Sequence, residues 1–117
     1  MPGQQFSAGL FRAIWLRVRA IWLSAMPVVE MTSHLYRFFP ALENREIRVR
    51  AGSVAQVLRE VDTIAAGFSN YVLDERGALR RHVNISVNDT VVIDRKTLSD
   101  YAADDATVYI FQALSGG

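Results

Sequence analysis

The chain has 117 residues, of which 50% are hydrophobic and 21% are charged, and its formal net charge is +1. This length is typical of a single domain, and the near-neutral charge argues against a general nucleic-acid-binding protein. Because the chain contains no cysteine, disulfides, cysteine metal ligands and thiol catalysis within it are excluded.

The first thirty residues differ from the rest of the chain. They carry three arginines and a single acid, Glu30, for a net charge of +2, whereas residues 31–117 carry a net charge of −1. The pentapeptide RAIWL occurs at residues 12–16 and again at residues 19–23, and it contains both tryptophans. These differences predict an N-terminal extension over residues 1–30 and a second unit over residues 31–117.

Several interpretations of the extension stay open. A helix is plausible, since no proline interrupts residues 7–26, but a transmembrane helix is disfavoured because each arginine costs about 2.5 to 3.5 kcal/mol near the bilayer centre. A secretory signal fits poorly, and an arginine-rich presequence or an interfacial helix is an alternative. A loosely attached helix, or a translation start at Met26 or Met31, is favoured. If the segment is present, Trp15 and Trp22 would dock on a membrane or on a neighbouring molecule.

The next elements predict a hairpin followed by a helix. Residues 34–39 are rich in aromatic side chains and predict a strand, residues 40–44 predict a turn, and residues 46–50 alternate as in a half-buried strand. Ser53 and Gln56 have the spacing of a capping box, which predicts a helix that begins after Ser53. Gly67 is a natural stop for this helix. Its apolar stripe predicts a core face and comprises Val54, Val57, Leu58, Val61, Ile64 and Ala65.

The remainder predicts an irregular connection and three strands. Residues 70–81 form the connection, with a turn at residues 74–77. Residues 83–87 alternate as a strand, Asn88 and Asp89 predict a turn, and residues 91–93 return as a short strand. Asp104 and Asp105 predict a turn before the last strand, residues 107–111. The order predicts an α+β domain with one helix on a mixed sheet, which is a β-grasp if the last strand pairs beside the first.

The sequence ends in Ser115-Gly116-Gly117, directly after the last predicted strand. Glycine makes up about 7% of average sequence, so two terminal glycines arise by chance in roughly 0.5% of chains. The ending is either a frayed tail or a thin, flexible thread that carries a reactive carboxylate on Gly117.

The order of these features resembles the ThiS/MoaD family of ubiquitin-like sulfur carriers. The resemblance runs from about residue 34 to residue 117, and the segment from Leu79 to Asp89 is most similar to carriers of a cysteine-synthesis route. The pattern is Gly77-x-Leu-x-Arg-x-Val-Asn-Ile-x-Val-Asn-Asp89, then Leu98, an acidic turn, and Val108-x-Ile-x-x-Ala-Leu-Ser-Gly-Gly117. Two positions depart from the family, because Ala103 precedes the acidic turn and no proline follows the last strand.

The resemblance implies a carrier and not an enzyme. A partner enzyme would use ATP to adenylate Gly117, and a sulfur source would convert the adenylate to a thiocarboxylate that a sulfur-accepting synthase uses. Gly116 would let the tail thread into the partner. The carrier would be cytoplasmic and would bind no cofactor itself, and it would serve cofactor, cysteine or related biosynthesis. The open alternatives are a ubiquitin-like modifier joined to lysines through Gly117, and an interaction domain with a chance Gly-Gly ending.

Partner docking is predicted on the last strand. Val108 and Ile110 share one face, and Tyr109 and Phe111 share the other. If the helix covers the first face, Tyr109 and Phe111 are exposed near the tail and form a docking surface together with Leu114. The residues that border this surface in the predicted strand order are His82, Asn84 and Ser86.

No catalytic or metal site is predicted. The two histidines, His34 and His82, make a weak case for zinc without cysteine. Asp104 and Asp105 are expected to shape a turn, and no glycine-rich phosphate loop is present.

Overall fold

The computed structural model describes residues 12–18 and 25–112. Residues 12–18 are helical and exposed. The five-stranded main sheet has the order β2-β1-β7-β4-β5, and β3 pairs with β6 in a small second sheet. The strands are β1 (Val28–Met31), β2 (Ile47–Arg48), β3 (Gly52–Ser53), β4 (Val83–Val87), β5 (Thr90–Val91), β6 (Tyr101–Ala102) and β7 (Thr107–Gln112). The helices are α1 (Ser33–Phe38), α2 (Val54–Ile64) and α3 (Phe68–Val72), with a 3-10 turn at Pro40–Leu42.

The last strand lies at the centre of the sheet. β7 runs parallel to β1, with Val29 opposite Val108, and antiparallel to β4, with Ile85 opposite Ile110. This pairing confirms the predicted β-grasp. The inward-facing residues of all three strands are buried with the apolar stripe of α2, so the core lies between the sheet and the helices.

The predicted first strand is wrong. Residues 34–39 belong mainly to helix α1, in which Leu35 is buried and the Phe39 N–H donates to the Leu35 carbonyl. Aromatic residues favour strands only weakly, and here packing of Leu35 and Phe39 four residues apart decides in favour of a helix that ends before Pro40. The first strand is β1, and the predicted boundary between residues 30 and 31 falls inside it.

The central helix follows its prediction closely. The Ser53 hydroxyl accepts from the Gln56 N–H at 3.2 Å, and the Gln56 amide oxygen accepts from the Ser53 N–H at 2.9 Å, which confirms the capping box. The helix ends at Ile64, three residues before the predicted stop, and Gly67 with its left-handed φ of 96° precedes α3. The predicted irregular connection from residue 70 is partly wrong, because α3 begins at Phe68 and is held in the core by Phe68 and Val72.

A carboxylate organises the loop that connects β5 to β6. Asp94 accepts from the Thr97 N–H at 3.0 Å, from the Ser99 hydroxyl at 2.7 Å and from the Thr97 hydroxyl. Leu98, which lies between Thr97 and Ser99, is fully buried and has a positive φ of 52°. This backbone conformation is rare for a residue with a side chain of this size. The Leu98 carbonyl accepts from the Ala55 N–H at 3.1 Å, so the loop is tied to the start of α2.

We expect this loop to make stability depend on pH in acid. The Ser99 and Thr97 hydroxyls, with the Thr97 N–H, hold the pKa of the Asp94 carboxyl well below its usual range. The carboxylate therefore contributes stability above its unfolded pKa of about 3.9, and this contribution is lost as pH falls through the folded pKa. Urea unfolding across this acidic range should show a smaller loss of stability in Asp94→Asn than in the wild type. The exposed turn residue Asp89 supplies the control Asp89→Asn, and identical pH profiles for the two variants would contradict the prediction.

Candidate functional site

The predicted reactive tail follows directly from the central strand. Leu114, Gly116 and Gly117 lie outside the described residues, so the structure defines the point from which the tail departs. That point is Gln112, which pairs with Val83 at the start of β4. The Tyr71 hydroxyl of α3 lies 3.5 Å from the Gln112 side-chain oxygen. The tail therefore begins at the end of the sheet where α3 and the entry to β4 meet.

The two faces of β7 are divided as the alternation predicts. Val108 and Ile110 are fully buried on the helix side. Tyr109 and Phe111 lie on the opposite, open face, where they are half-buried and their stacked rings have centroids 5.4 Å apart. This aromatic pair is a rigid apolar patch that ends one residue before the tail.

Cross-strand neighbours give the aromatic pair a polar border. Asn84 lies opposite Phe111 and Ser86 lies opposite Tyr109 on β4, as the sequence suggested. On the other side, Glu30 of β1 lies opposite Tyr109 and is exposed. An apolar centre with a polar border is the general composition of a protein interface. His82 is exposed and precedes β4.

A second aromatic group surrounds the point where the tail departs, and the sequence interpretation missed it. The rings of His34 and Phe38 meet edge to face, with their centroids 5.1 Å apart, and the ring centroids of Phe38 and Tyr71 are 5.3 Å apart. Phe38 is 55% exposed, and Tyr71 leads to Gln112. We call His34, Phe38, Tyr71 and Gln112 the tail-exit rim. Assigning residues 34–39 to a strand separated His34 from Phe38, whereas their spacing of four residues is that of one helix face.

An arginine holds the start of β4 in place beside the rim. The Arg95 guanidinium donates to the Arg80 carbonyl at 2.6 Å, the Val83 carbonyl at 2.8 Å and the Asn84 side-chain oxygen at 3.1 Å. Arg80 in turn donates to the Asn70 carbonyl at 3.0 Å, while Arg81 is exposed. These bonds fix the backbone that pairs with Gln112, so the origin of the tail is well defined.

The described residues hold no cluster of three histidine, cysteine or acidic side chains placed to bind a metal ion. Within the same ranges, no helix is long and apolar enough to cross a membrane.

Solved structures with the same fold were found by comparison. No protein-family model and no curated protein matches the sequence. CysO in the BexX/CysO complex of Amycolatopsis orientalis is 25% identical, with a TM-score of 0.67 over 78% of this chain and 99% of that one. CysO of Mycobacterium tuberculosis is 25% identical, with a TM-score of 0.65 over 75% and 99%. SAMP1 of Haloferax volcanii, at 19% identity and a TM-score of 0.61 over 78% and 98%, shows the shared fold alone.

The fold of these neighbours agrees with the sheet topology of this chain. The strand order places β7 at the centre of the sheet, between β1 and β4. The segment from Leu79 to Asp89, which resembles the family, contains β4, the antiparallel partner of β7. The chain has the β-grasp fold of these neighbours, which are ubiquitin-like sulfur carriers of the ThiS/MoaD type, the group that its sequence resembles.

Proposed function

We propose that this protein carries sulfur as a thiocarboxylate on the C-terminal carbon of Gly117. One observation carries the proposal: β7 is central, its aromatic face is accessible, and it ends at Gln112, from which five residues lead to the terminal glycine. A docking patch on the open face of β7 would lie close to the point from which the reactive end departs, and this supports the proposal. The structural similarity to CysO, which covers 99% of the CysO chain, also supports the proposal.

The chemistry needs activation because a carboxylate is a poor electrophile. A Gly117 carboxylate oxygen attacks the α-phosphorus of ATP in the partner enzyme, and pyrophosphate leaves. A hydrosulfide-level sulfur nucleophile then attacks the acyl carbon, and AMP leaves with the former carboxylate oxygen. The product is a thiocarboxylate, whose sulfur is nucleophilic and can be passed to an acceptor. ATP belongs to the partner in this scheme, and no residue of this chain needs to act as acid or base.

The proposal requires two kinds of partner. An adenylating and sulfur-transferring enzyme loads Gly117, and a sulfur-accepting synthase of cofactor, cysteine or related biosynthesis unloads it. The structure of CysO in complex with BexX shows a related carrier bound to a partner protein. Both steps are proposed to take place in the cytoplasm, where ATP and reduced sulfur are available.

The test is the mass of the C-terminal peptide of the protein isolated from its own host under sulfur demand. We expect one terminal oxygen to be replaced by sulfur. Gly-Gly remnants on lysines of other proteins, without the thiocarboxylate, would replace the carrier proposal by a protein modifier. A free carboxylate under every condition would refute both and leave an interaction domain.

Docking should depend on the aromatic pair of β7. We expect Tyr109→Ser to weaken the affinity for the adenylating enzyme about tenfold or more, because a central aromatic residue of an interface contributes about 2 kcal/mol. The matched control is Tyr101→Ser, since Tyr101 is 66% exposed on β6 in the small second sheet. Titration of labelled protein with the enzyme measures both affinities, and an equal effect of the two changes would place docking elsewhere.

A further inference from the structure

The helical segment at residues 12–18 exposes an unusual amount of apolar surface. Every side chain in it is exposed, and four are large and apolar: Ile14 at 49%, Trp15 at 62%, Leu16 at 56% and Val18 at 37%. Apolar side chains grouped on one short element mark an interaction site more often than isolated ones do. The proposed sulfur chemistry makes no use of this segment, so its surface requires an explanation of its own.

The segment separates apolar and cationic groups around the helix. At about 100° per residue, Ile14, Trp15 and Val18 fall within one third of the circumference, and Arg12 and Arg17 fall outside it. Leu16 lies between the two arginines. The pentapeptide RAIWL recurs seven positions later in the sequence. The chain has no acidic residue before Glu30, so nothing in this stretch neutralises Arg12, Arg17 and Arg19.

The charge selects one occupant for this surface. A second copy would bring two sets of uncompensated arginines together, which like-charge repulsion opposes. A spanning helix would carry the arginines into hydrocarbon, at a high cost. An anionic lipid surface accommodates both the apolar and the cationic side chains, because tryptophan and aliphatic side chains enter the interface while arginines contact phosphate groups. We infer that the helix at residues 12–18 is an interfacial anchor that binds anionic phospholipid surfaces.

The topology makes such an anchor compatible with a working tail. The extension enters the fold at the start of β1, and β1 is parallel to β7. The tail leaves at the other end of β7, whose six residues span about 20 Å. A protein held by its N-terminal segment therefore keeps Gln112 and the tail-exit rim on the end away from the attachment point.

The two tryptophans provide a direct measurement, because Trp15 and Trp22 are the only ones in the chain. The full chain is titrated with vesicles of phosphatidylcholine alone and of phosphatidylcholine with phosphatidylglycerol. We expect a blue shift and higher emission with the anionic vesicles. Each arginine near an anionic surface strengthens binding by about fivefold, so the three arginines should make the neutral vesicles roughly a hundredfold weaker.

Variants separate the anchor from general electrostatics. The triple change Arg12→Gln, Arg17→Gln, Arg19→Gln keeps both tryptophans and should remove the preference for anionic vesicles. A matched control, Arg45→Gln, Arg59→Gln, Arg76→Gln, removes the same charge from exposed positions of the β-grasp and should bind like the wild type. Deletion of Gly116 and Gly117 should leave vesicle binding unchanged, which keeps this test independent of the sulfur proposal.

Three outcomes would overturn the inference. One is an absence of any emission change with anionic vesicles, and another is equal binding to neutral and anionic vesicles. The third is a blue shift without lipid that grows with protein concentration and accompanies a dimer mass, since that would identify a second copy as the occupant.

Discussion

A chain that begins at Met31 is expected to lose cooperative folding, whereas a chain that begins at Met26 is expected to fold like the full chain. The first removes Val28, Val29 and Glu30, which form most of β1 between β2 and β7. Burial of Val29 contributes about 2 kcal/mol, and each lost ladder hydrogen bond contributes about 1 kcal/mol. Losing Val29 together with several of these bonds therefore approaches the lower end of the stability of a typical domain, about 5–15 kcal/mol.

The chain from Met26 keeps the two hydrogen bonds that the residues just before β1 make with β2 and the residue after it. The Met26 carbonyl accepts from the Arg48 guanidinium at 2.8 Å, and the Pro27 carbonyl accepts from the Val49 N–H at 3.0 Å. Both truncated chains start at a methionine of the sequence and both lack the tryptophans, so they are matched. Thermal unfolding followed by circular dichroism compares them. A cooperative transition in the Met31 chain would show that β1 is dispensable.

The second large effect is expected at Gly116. Replacing Gly116 with valine should lower the rate of thiocarboxylate formation by about a hundredfold or more, since a small displacement of the reacting carbon in a narrow channel costs this much. The fold should be unaffected, because β7 ends at Gln112, four residues earlier. The measurement is the fraction of the C-terminal peptide that carries sulfur, with the melting temperature as the check on folding.

The neighbouring position supplies the control for this change. Ser115 already carries a side chain, so Ser115→Val adds bulk without introducing a side chain where none existed. We expect it to retain most of the thiocarboxylate. Equal loss in both variants would mean that bulk anywhere in the tail blocks loading, and normal loading of Gly116→Val would remove the threading role from Gly116.

The sequence predicted those elements that local rules determine. The capping box at Ser53 and Gln56, the apolar stripe of α2 and the alternation of β4 and β7 depend on residues within one element. The left-handed turn residues Asn88 and Gly77 also occupy their expected places. In each of these features, the side-chain pattern and the backbone conformation of the same few residues favour the same structure, so the sequence alone is sufficient to predict it.

Tertiary packing decided the elements that the sequence interpretation missed. β1 has only four residues and follows an extension of different composition, so the sequence interpretation includes residues 28–30 in the extension. In α1, strand-favouring aromatic residues are overridden because Leu35 fills the core and Phe39 packs against Phe68 at 5.2 Å. The tail-exit rim consists of residues from α1, α3 and β7. These elements are far apart in the sequence, so a local sequence pattern does not predict that the residues lie close together.

The central position of β7 also has a consequence for synthesis. β1 needs residues that follow it by almost eighty positions, since Val28 lies opposite Thr107. Until β7 leaves the ribosome, β1 and β4 each lack the partner that joins them, and contacts of such long range form slowly. A ribosome that stops early therefore releases a chain without a closed sheet and without the docking face. Folding therefore restricts partner recognition to chains whose synthesis has reached the end of β7.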